Sequence, residues 1–223
     1  MSTFYGGGAG LQLVDDQRYP QAIRTFLKEE RDLVVALSFG TRRLVEIGCM
    51  DGRWLEVARD HGWRYLGLDI EPALIALGRE RCDRLALRRE DADLRVADAA
   101  DLSNDWTVDA GDLGLIPFNA FGNMERPGAV IASVARIAAP VLISTYGTDS
   151  TSTAAREEYY RSAGFTSLTV QHTESGVCFS DPAGLRSWAW SEHALHNWCT
   201  RAALRCTRHD FAEIGRLYAL AAE

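Results

Sequence analysis

Lysine, paired cysteines and long apolar runs are all scarce in this chain. Lys28 is the only lysine among the 24 basic residues, an imbalance that we attribute to codon composition. The net charge of −7 gives no overall field that would attract a phosphate backbone, so we expect no nucleic-acid partner. No apolar run approaches the roughly 20 residues of a membrane span, and the glycine-rich start lacks the segments of a signal peptide. We therefore expect a cytoplasmic protein without a membrane partner.

The five cysteines are odd in number and form no C-x-x-C pair. A disulfide framework or a zinc site needs more regular spacing, so we predict reduced thiols and no metal. A chain of 223 residues buries enough surface to fold as one domain without such cross-links.

Short apolar runs alternate with helical segments from Arg43 onward. We predict strands at 44–47, 65–68, 94–97, 113–116 and 141–145, followed by two more at 203–207 and 217–220. Strands that alternate with helices indicate βαβ units, and therefore an α/β protein with a mostly parallel sheet covered by helices on both faces.

Two segments lie outside this alternation. Residues 1–42 are predicted to form a glycine-rich flexible arm, up to Asp16, and then a helix that begins near Pro20. Residues 43–223 form the main domain, in which 147–190 is an insert after strand five. Within the insert we predict a helix capped by Ser150 and a hairpin about Ser175-Gly176. Because the insert leaves from the carboxyl end of a strand, we expect it to be a lid.

The segment Glu46–Gly52 carries the most information about chemistry. It places an acid at the end of the first strand and glycines in the turn before a helix, where the backbone N–H groups are free to meet a ligand. A second acid, Asp69, ends the second strand, where a carboxylate can hold ribose hydroxyls. A dinucleotide fold also fits, but the middle glycine of G-x-G-x-x-G is absent, and so is a Walker lysine. A third acid, Asp98, follows the third strand.

These segments resemble the class I S-adenosylmethionine-dependent methyltransferases. Glu46–Gly52 resembles their first motif, Gly67–Ile70 their ribose motif, Asp98-Ala99 their adenine motif, and Ile116–Asn119 the segment that lines the methyl donor. The resemblance covers residues 43–146 and implies a seven-stranded, mostly parallel Rossmann-like sheet with S-adenosylmethionine as the cofactor. One departure is Met50, which stands where most members have glycine.

The resemblance also implies the site residues. Those expected to bind the cofactor are Glu46, Gly48, Cys49, Met50, Gly52, Asp69, Ile70, Asp98, Ala99, Phe118 and Asn119. The candidates for catalysis are Asn119, Tyr159, Tyr160 and His172. Adjacent helical residues point about 100° apart, so we expect only one of the two tyrosines to face the pocket. A lone histidine is more often structural than a base.

The function predicted from this resemblance is methyl transfer to the oxygen or nitrogen of a small molecule, of the kind made in natural-product biosynthesis. An alternative is an enzyme that cyclises S-adenosylmethionine to azetidine-2-carboxylate and releases methylthioadenosine; Met50 and the many aromatic residues are compatible with it. A third is a non-catalytic protein that keeps the fold. A homodimer is left open.

Overall fold

The computed structural model describes residues 4–5 and 8–222, which form a seven-stranded sheet and a separate three-stranded sheet. The helices are α1 (Gln21–Leu37), α2 (Leu55–Asp60), α3 (Pro72–Arg84), α4 (Pro127–Ile137), α5 (Ser150–Ser162) and α6 (Glu192–Arg201). The strands are β1 (Arg43–Ile47), β2 (Arg64–Asp69), β3 (Ala92–Val96), β4 (Asp112–Ile116), β5 (Val141–Tyr146), β6 (Thr169–Thr173), β7 (Gly176–Ser180), β8 (Arg186–Trp190), β9 (Leu204–Phe211) and β10 (Gly215–Ala222).

The large sheet confirms the predicted α/β architecture. Its strand order is β3-β2-β1-β4-β5-β10-β9, with β1 to β5 parallel and β10 antiparallel to both of its neighbours. The central strands β4 and β5 are buried along their whole length, and one apolar cluster packs on each face of the sheet. Burial on both faces explains why these strands read as continuous apolar runs. The carboxyl ends of β1 to β5 meet at one edge, where the predicted cofactor-binding residues lie.

The insert contains one strand more than the sequence predicts. The β6–β7 hairpin turns at the predicted position, but β8 pairs with β7 and completes a three-stranded sheet. The indole rings of Trp188 and Trp190 stack with centroids 4.4 Å apart and planes 4° apart. The sequence does not predict this strand. The helix cap also shifts by one residue, because the Asp149 carboxylate, not Ser150, accepts the N–H of Ser152 at 2.8 Å.

The prediction of a flexible N-terminal arm is wrong for the residues that the structure describes. Two short 3-10 helices, Ala9–Val14 and Asp16–Arg18, precede α1, and the side chains of Phe4 and Leu13 are buried. Aromatic partners from the insert explain the order, since the Phe4 ring lies 5.9 Å from that of Phe165. Residues 1–3 and 6–7, which belong to the same predicted arm, lie outside the described residues. None of the described helices is long and apolar enough to cross a membrane.

Candidate active site

The loop after β1 follows a path that glycine adopts easily. Gly48 and Gly52 have φ of +76° and +85°, and Met50 between them also has a positive φ, +52°. Non-glycine residues in this region are strained. A methyl group on Gly48 would come within 3.1 Å of the Ala120 side chain, so the segment after β4 closes tightly over this loop. Cys49 is buried beneath it.

Asp69 at the end of β2 is held by backbone groups. One carboxylate oxygen accepts the N–H of Met50 at 2.8 Å, and the other accepts the N–H of Glu71 at 3.0 Å. Desolvation raises the pKa of this carboxyl. The Ile70 N–H also lies within reach of this carboxylate. A carboxylate offers about four acceptor positions, so acceptor capacity remains for a ligand such as a ribose hydroxyl. The next residue, Ile70, is 60% exposed at the same edge of the sheet.

Glu46 is fully buried and only half satisfied. Its Oε2 accepts the backbone N–H of Trp54 at 3.0 Å and the hydroxyl of Tyr65 at 2.5 Å. Its Oε1 has no hydrogen-bond partner among the described residues. Burial raises the pKa of the carboxyl to about 8. An unpartnered buried carboxylate oxygen is costly, and a cationic donor from a ligand would satisfy it.

Asp98 and Ala99 follow β3 at the same edge. The Asp98 carboxylate accepts the N–H of Ala100 at 2.9 Å, and its second oxygen pairs with Arg126 at 2.5 Å. Ala99 packs against the apolar cluster beneath. The ion pair with Arg126 ties the adenine motif of the prediction to the start of α4.

Asn119 is a buried link between elements. It follows β4 with φ of +58°; its Oδ1 accepts from the Thr145 hydroxyl at 2.6 Å, and its Nδ2 donates to the Ser187 hydroxyl at 3.1 Å. These bonds join the β4 loop to β5 and to the insert strand β8. Because the amide oxygen and nitrogen are both engaged with protein groups, the geometry assigns this side chain a linking position. Its predicted catalytic role stays a prediction.

Tyr159 and Tyr160 on α5 are both buried, and their ring centroids lie 5.2 Å apart. Tyr159 reaches the Phe118 ring, whereas Tyr160 reaches that of Phe179 in the insert, so the two rings have different neighbours. That only one of them faces the pocket stays a prediction. The Tyr159 hydroxyl donates to the carbonyl of Leu13, and burial raises its pKa well above the usual range. His172, the remaining catalytic candidate, is exposed on β6 of the small sheet.

Arg53 is a site residue that sequence reasoning missed. Its guanidinium carbon lies 4.6 Å from the centroid of the Phe118 ring, and its Nη2 donates to the Tyr19 hydroxyl at 3.5 Å. Glu30 and Glu46 interact with it electrostatically, but no carboxylate of the described residues lies within the 4 Å of an ion pair. A guanidinium held by rings and lacking an ion pair is suited to a carboxylate ligand. Its place directly after Gly52 was the available signal.

Tyr5 lies near Asp69 and Arg53 and contacts the segment after β4. Asn123 donates from its Nδ2 to the Tyr5 hydroxyl at 2.9 Å, and Asp69 and Arg53 are among the charged groups near that hydroxyl. Burial raises the pKa of Tyr5. Phe4 packs beside Gly184 of the insert, so residues 4–5 bridge the insert and the β4 loop.

A family model described as a methyltransferase domain matches residues 17–209. The chain belongs to this methyltransferase domain family. The match spans the boundary at residue 42 that the sequence predicts, so the predicted division into two segments stays a prediction. No curated protein sequence matches the chain.

Solved structures of other proteins share the fold. The PH0226 protein of Pyrococcus horikoshii OT3 has a TM-score of 0.66 and 15% identity, with 100% of each chain covered. Magnesium protoporphyrin IX methyltransferase from Synechocystis PCC 6803, with bound S-adenosylhomocysteine, has a TM-score of 0.64 and 13% identity over 99% of this chain and 97% of its own. The [4+2]-cyclase SpnF has a TM-score of 0.60 and 15% identity over 86% and 80%.

The residues at the strand ends fit the predicted cofactor. Asp69 has free acceptor positions, Glu46 has an unpartnered oxygen, and Arg53 lacks an anionic partner among the described residues. These three match the ribose, the ammonium and the carboxylate of S-adenosylmethionine in charge and hydrogen-bonding type. The family match supports the same cofactor.

Proposed function

We propose that this protein transfers a methyl group from S-adenosylmethionine to the oxygen or nitrogen of a small molecule, of the kind made in natural-product biosynthesis. The observation that carries the proposal is the set of three incomplete polar groups, Glu46, Arg53 and Asp69, at one edge of the sheet. Each lacks a partner of the type that the cofactor carries. The cofactor supplies an electrophilic methyl group on a sulfonium.

The chain's own residues would bind and enclose the donor. Asp69 would accept from the ribose hydroxyls, the Glu46 Oε1 would accept from the ammonium, and Arg53 would donate to the carboxylate. Exposed Ile70 offers an apolar surface to the adenine, with Asp98 and Ala99 at its edge. Tyr5 and the insert would exclude water, which is what a displacement at a sulfonium requires.

Two of the predicted catalytic residues, Tyr159 and Asn119, are poorly suited to act as a general base. The Tyr159 hydroxyl donates to a backbone carbonyl, the pKa of that tyrosine is raised well above the usual range, and the Asn119 amide is engaged on both atoms. A neutral amine needs no base before it attacks, whereas a hydroxyl group must lose its proton. Amine acceptors are therefore the first to test, ahead of hydroxyl acceptors.

The poor suitability of Tyr159 and Asn119 as bases also fits a second candidate reaction, the cyclisation of S-adenosylmethionine to azetidine-2-carboxylate. In that reaction the donor's own ammonium gives a proton to solvent water, and the resulting amine attacks its γ-carbon; a C–N bond forms, the C–S bond breaks with its electron pair going to sulfur, and methylthioadenosine leaves. No base acting on a second substrate is needed. The neighbour SpnF is a [4+2]-cyclase, so this fold carries chemistry other than methyl transfer.

One incubation separates the two candidates. The purified protein is mixed with S-adenosylmethionine, alone and with a panel of small amines, phenols and carboxylic acids, and the nucleoside products are measured by mass spectrometry. Acceptor-dependent S-adenosylhomocysteine supports methyl transfer. Methylthioadenosine formed without any acceptor, above the rate of a heat-denatured control, supports cyclisation. Neither product under any condition contradicts both.

A further inference from the structure

Glu30 on α1 is a buried carboxylate with an unusual partner. It is 1% exposed, and its Oε1 accepts the backbone N–H of Phe118 at 2.7 Å, across 88 positions of sequence. Within the described residues, no arginine or lysine lies within 4 Å of its oxygens. The Ser144 hydroxyl lies beside the same carboxyl and helps to stabilise it. Buried carboxylates are costly unless they are paired with a cation, so a carboxylate held only by neutral donors, one of them a distant backbone group, requires a reason.

The backbone at that bond is strained. Phe118 and Asn119 both have left-handed φ, +46° and +58°, directly after β4. Asparagine tolerates this region, whereas an aromatic residue there is an outlier. The N–H of Asn119 donates to the Ser144 carbonyl at 3.0 Å, which leaves the N–H of Phe118 to the carboxylate of Glu30. A bond to a charged acceptor is stronger than a neutral one and offsets the strain at Phe118.

The strained turn sets where the Phe118 ring stands. That ring faces the Arg53 guanidinium at 4.6 Å and lies 5.9 Å and 5.8 Å from the rings of Tyr19 and Tyr159. Among the described residues no carboxylate lies within ion-pair distance of Arg53, so its close contacts are the Phe118 ring and the Tyr19 hydroxyl. A relaxed turn would withdraw the ring that holds the guanidinium.

We propose that Glu30 is a positioning residue for the donor, acting through the Phe118 turn to hold Arg53 where it meets the carboxylate of S-adenosylmethionine. The inference rests on the proposed function, since it assumes that Arg53 receives that carboxylate. Glu30 itself touches no reacting atom. It should therefore affect ligands that carry the amino-acid part of the cofactor and spare ligands that lack it.

Glu29, the preceding residue on α1, provides a matched control. Its Oε2 accepts the N–H of Ala212 at 2.6 Å in the β9–β10 turn, where Ala212 and Glu213 are also left-handed, with φ of +50° and +60°. The two acids thus make the same kind of bond from the same helix to two strained turns. Only the turn held by Glu30 carries a residue that contacts Arg53.

The test compares Glu30→Leu, Glu30→Gln and Glu29→Leu by calorimetry with two probes, S-adenosylhomocysteine and methylthioadenosine. The first probe carries the amino-acid carboxylate and the second lacks it. We expect Glu30→Leu to bind S-adenosylhomocysteine at least tenfold more weakly and methylthioadenosine within twofold of the parent. Glu30→Gln keeps an acceptor oxygen and should stay within threefold for both, and Glu29→Leu within twofold for both. Amide hydrogen exchange at Phe118 should accelerate only in Glu30→Leu.

Three results would overturn the proposal: equal affinity of Glu30→Leu and the parent for S-adenosylhomocysteine, an equal loss for both probes, or the same loss in Glu29→Leu. Should Glu30→Leu fail to fold, Phe118→Leu keeps the carboxylate and removes the ring, and it should show the same probe-selective loss. Binding of S-adenosylhomocysteine by the parent protein tests the proposed function separately. The difference in affinity between the variants tests the role of Glu30.

Discussion

Met50 donates its backbone N–H to the carboxylate of Asp69 across 2.8 Å. This bond joins the loop after β1 to the end of β2 and fixes the carboxylate that would hold the ribose. Met50 has a φ of +52° in this loop, so a residue with a side chain adopts a backbone conformation that is suited to glycine.

Met50→Gly should stabilise the protein modestly. A left-handed conformation costs a non-glycine residue about 1–2 kcal/mol, and part of this gain is lost to the greater freedom of glycine in the unfolded chain. A net gain of up to about 1 kcal/mol corresponds to a rise of about 2–4 °C in the thermal midpoint of a domain of this size.

The control for Met50→Gly is Ala86→Gly, an exposed position with φ of +53° away from the site. Both variants should raise the midpoint, measured by calorimetry. Only Met50→Gly should alter the ratio of the two products, S-adenosylhomocysteine and methylthioadenosine. In that variant the product ratio should change more than the affinity for the cofactor does. A lower midpoint for Met50→Gly would show that its side-chain packing outweighs the backbone strain.

Glu46→Gln should remove a pH dependence of stability. Burial raises the pKa of Glu46 to about 8 from an ordinary value of 4.5, so the folded state holds this proton more tightly than the unfolded state does. The stability is then full below pH 4.5 and falls as pH rises towards 8, with a limiting slope of ~1.4 kcal/mol per pH unit for one group. The glutamine variant lacks this group.

The measurement for Glu46 is urea unfolding of both proteins at pH 5, 7 and 8.5. Relative to the parent, Glu46→Gln should gain stability steadily over this series. Glu30→Gln is the comparison, because the pKa of Glu30 is also raised by burial but its carboxylate accepts from the Phe118 N–H. A constant difference between Glu46→Gln and the parent across the series would mean that Glu46 is ionised in the folded protein throughout.

Arg53→Met should weaken the binding of S-adenosylhomocysteine and spare methylthioadenosine. A bond between a guanidinium and a carboxylate contributes about 1.5–3 kcal/mol, which is about tenfold or more in affinity. Methionine keeps apolar contact with the Phe118 ring, so the fold should persist. Arg126→Met, which removes a surface partner of Asp98, is the control with another site arginine. Parallel losses for both ligands would place Arg53 outside the carboxylate subsite.

Leu13→Ala should destabilise the protein even without cofactor. Leu13 is buried, and its carbonyl accepts the hydroxyls of both Tyr19 and Tyr159. Truncation of a buried leucine costs about 2–5 kcal/mol. Leu11→Ala, at a position that is 41% exposed in the same 3-10 helix, should change stability by about 0.5 kcal/mol or less. Equal urea midpoints for the two variants would mean that the Leu13 side chain is not packed in the folded protein, as expected for a flexible arm.

The sequence predicts the large sheet well because its signals are local. Apolar runs define β1 to β5, and glycines with an acid define the first loop, since both follow from the backbone geometry of neighbouring residues. The burial of Phe4 and Leu13 is not predictable in this way. Phe4 and Leu13 are buried by partners such as Phe165 and Tyr159, which lie about 150 positions away.

The same distinction explains the candidate site. Asp69 and Glu46 were found because they end strands, whereas Glu30 was missed because its partner, Phe118, lies 88 positions later. Arg53 follows a recognised motif, but its role in the candidate site depends on its having no ion pair with the described residues, which only tertiary structure reveals. Asn119 was correctly placed at the end of β4, and the engagement of its amide with Thr145 and Ser187 depends on the insert.

The stacked indoles of β8 give the insert an optical signature of its own. Two parallel chromophores with centroids 4.4 Å apart couple electronically, so Trp188 and Trp190 should contribute near-ultraviolet circular dichroism that isolated tryptophans do not. Such signals vanish when side-chain packing is lost, even where secondary structure persists. Because Ser187 of the same strand is bonded to Asn119 at the end of β4, this band reports whether the insert is seated on the large sheet. The packing of the insert can therefore be followed in solution without any added label.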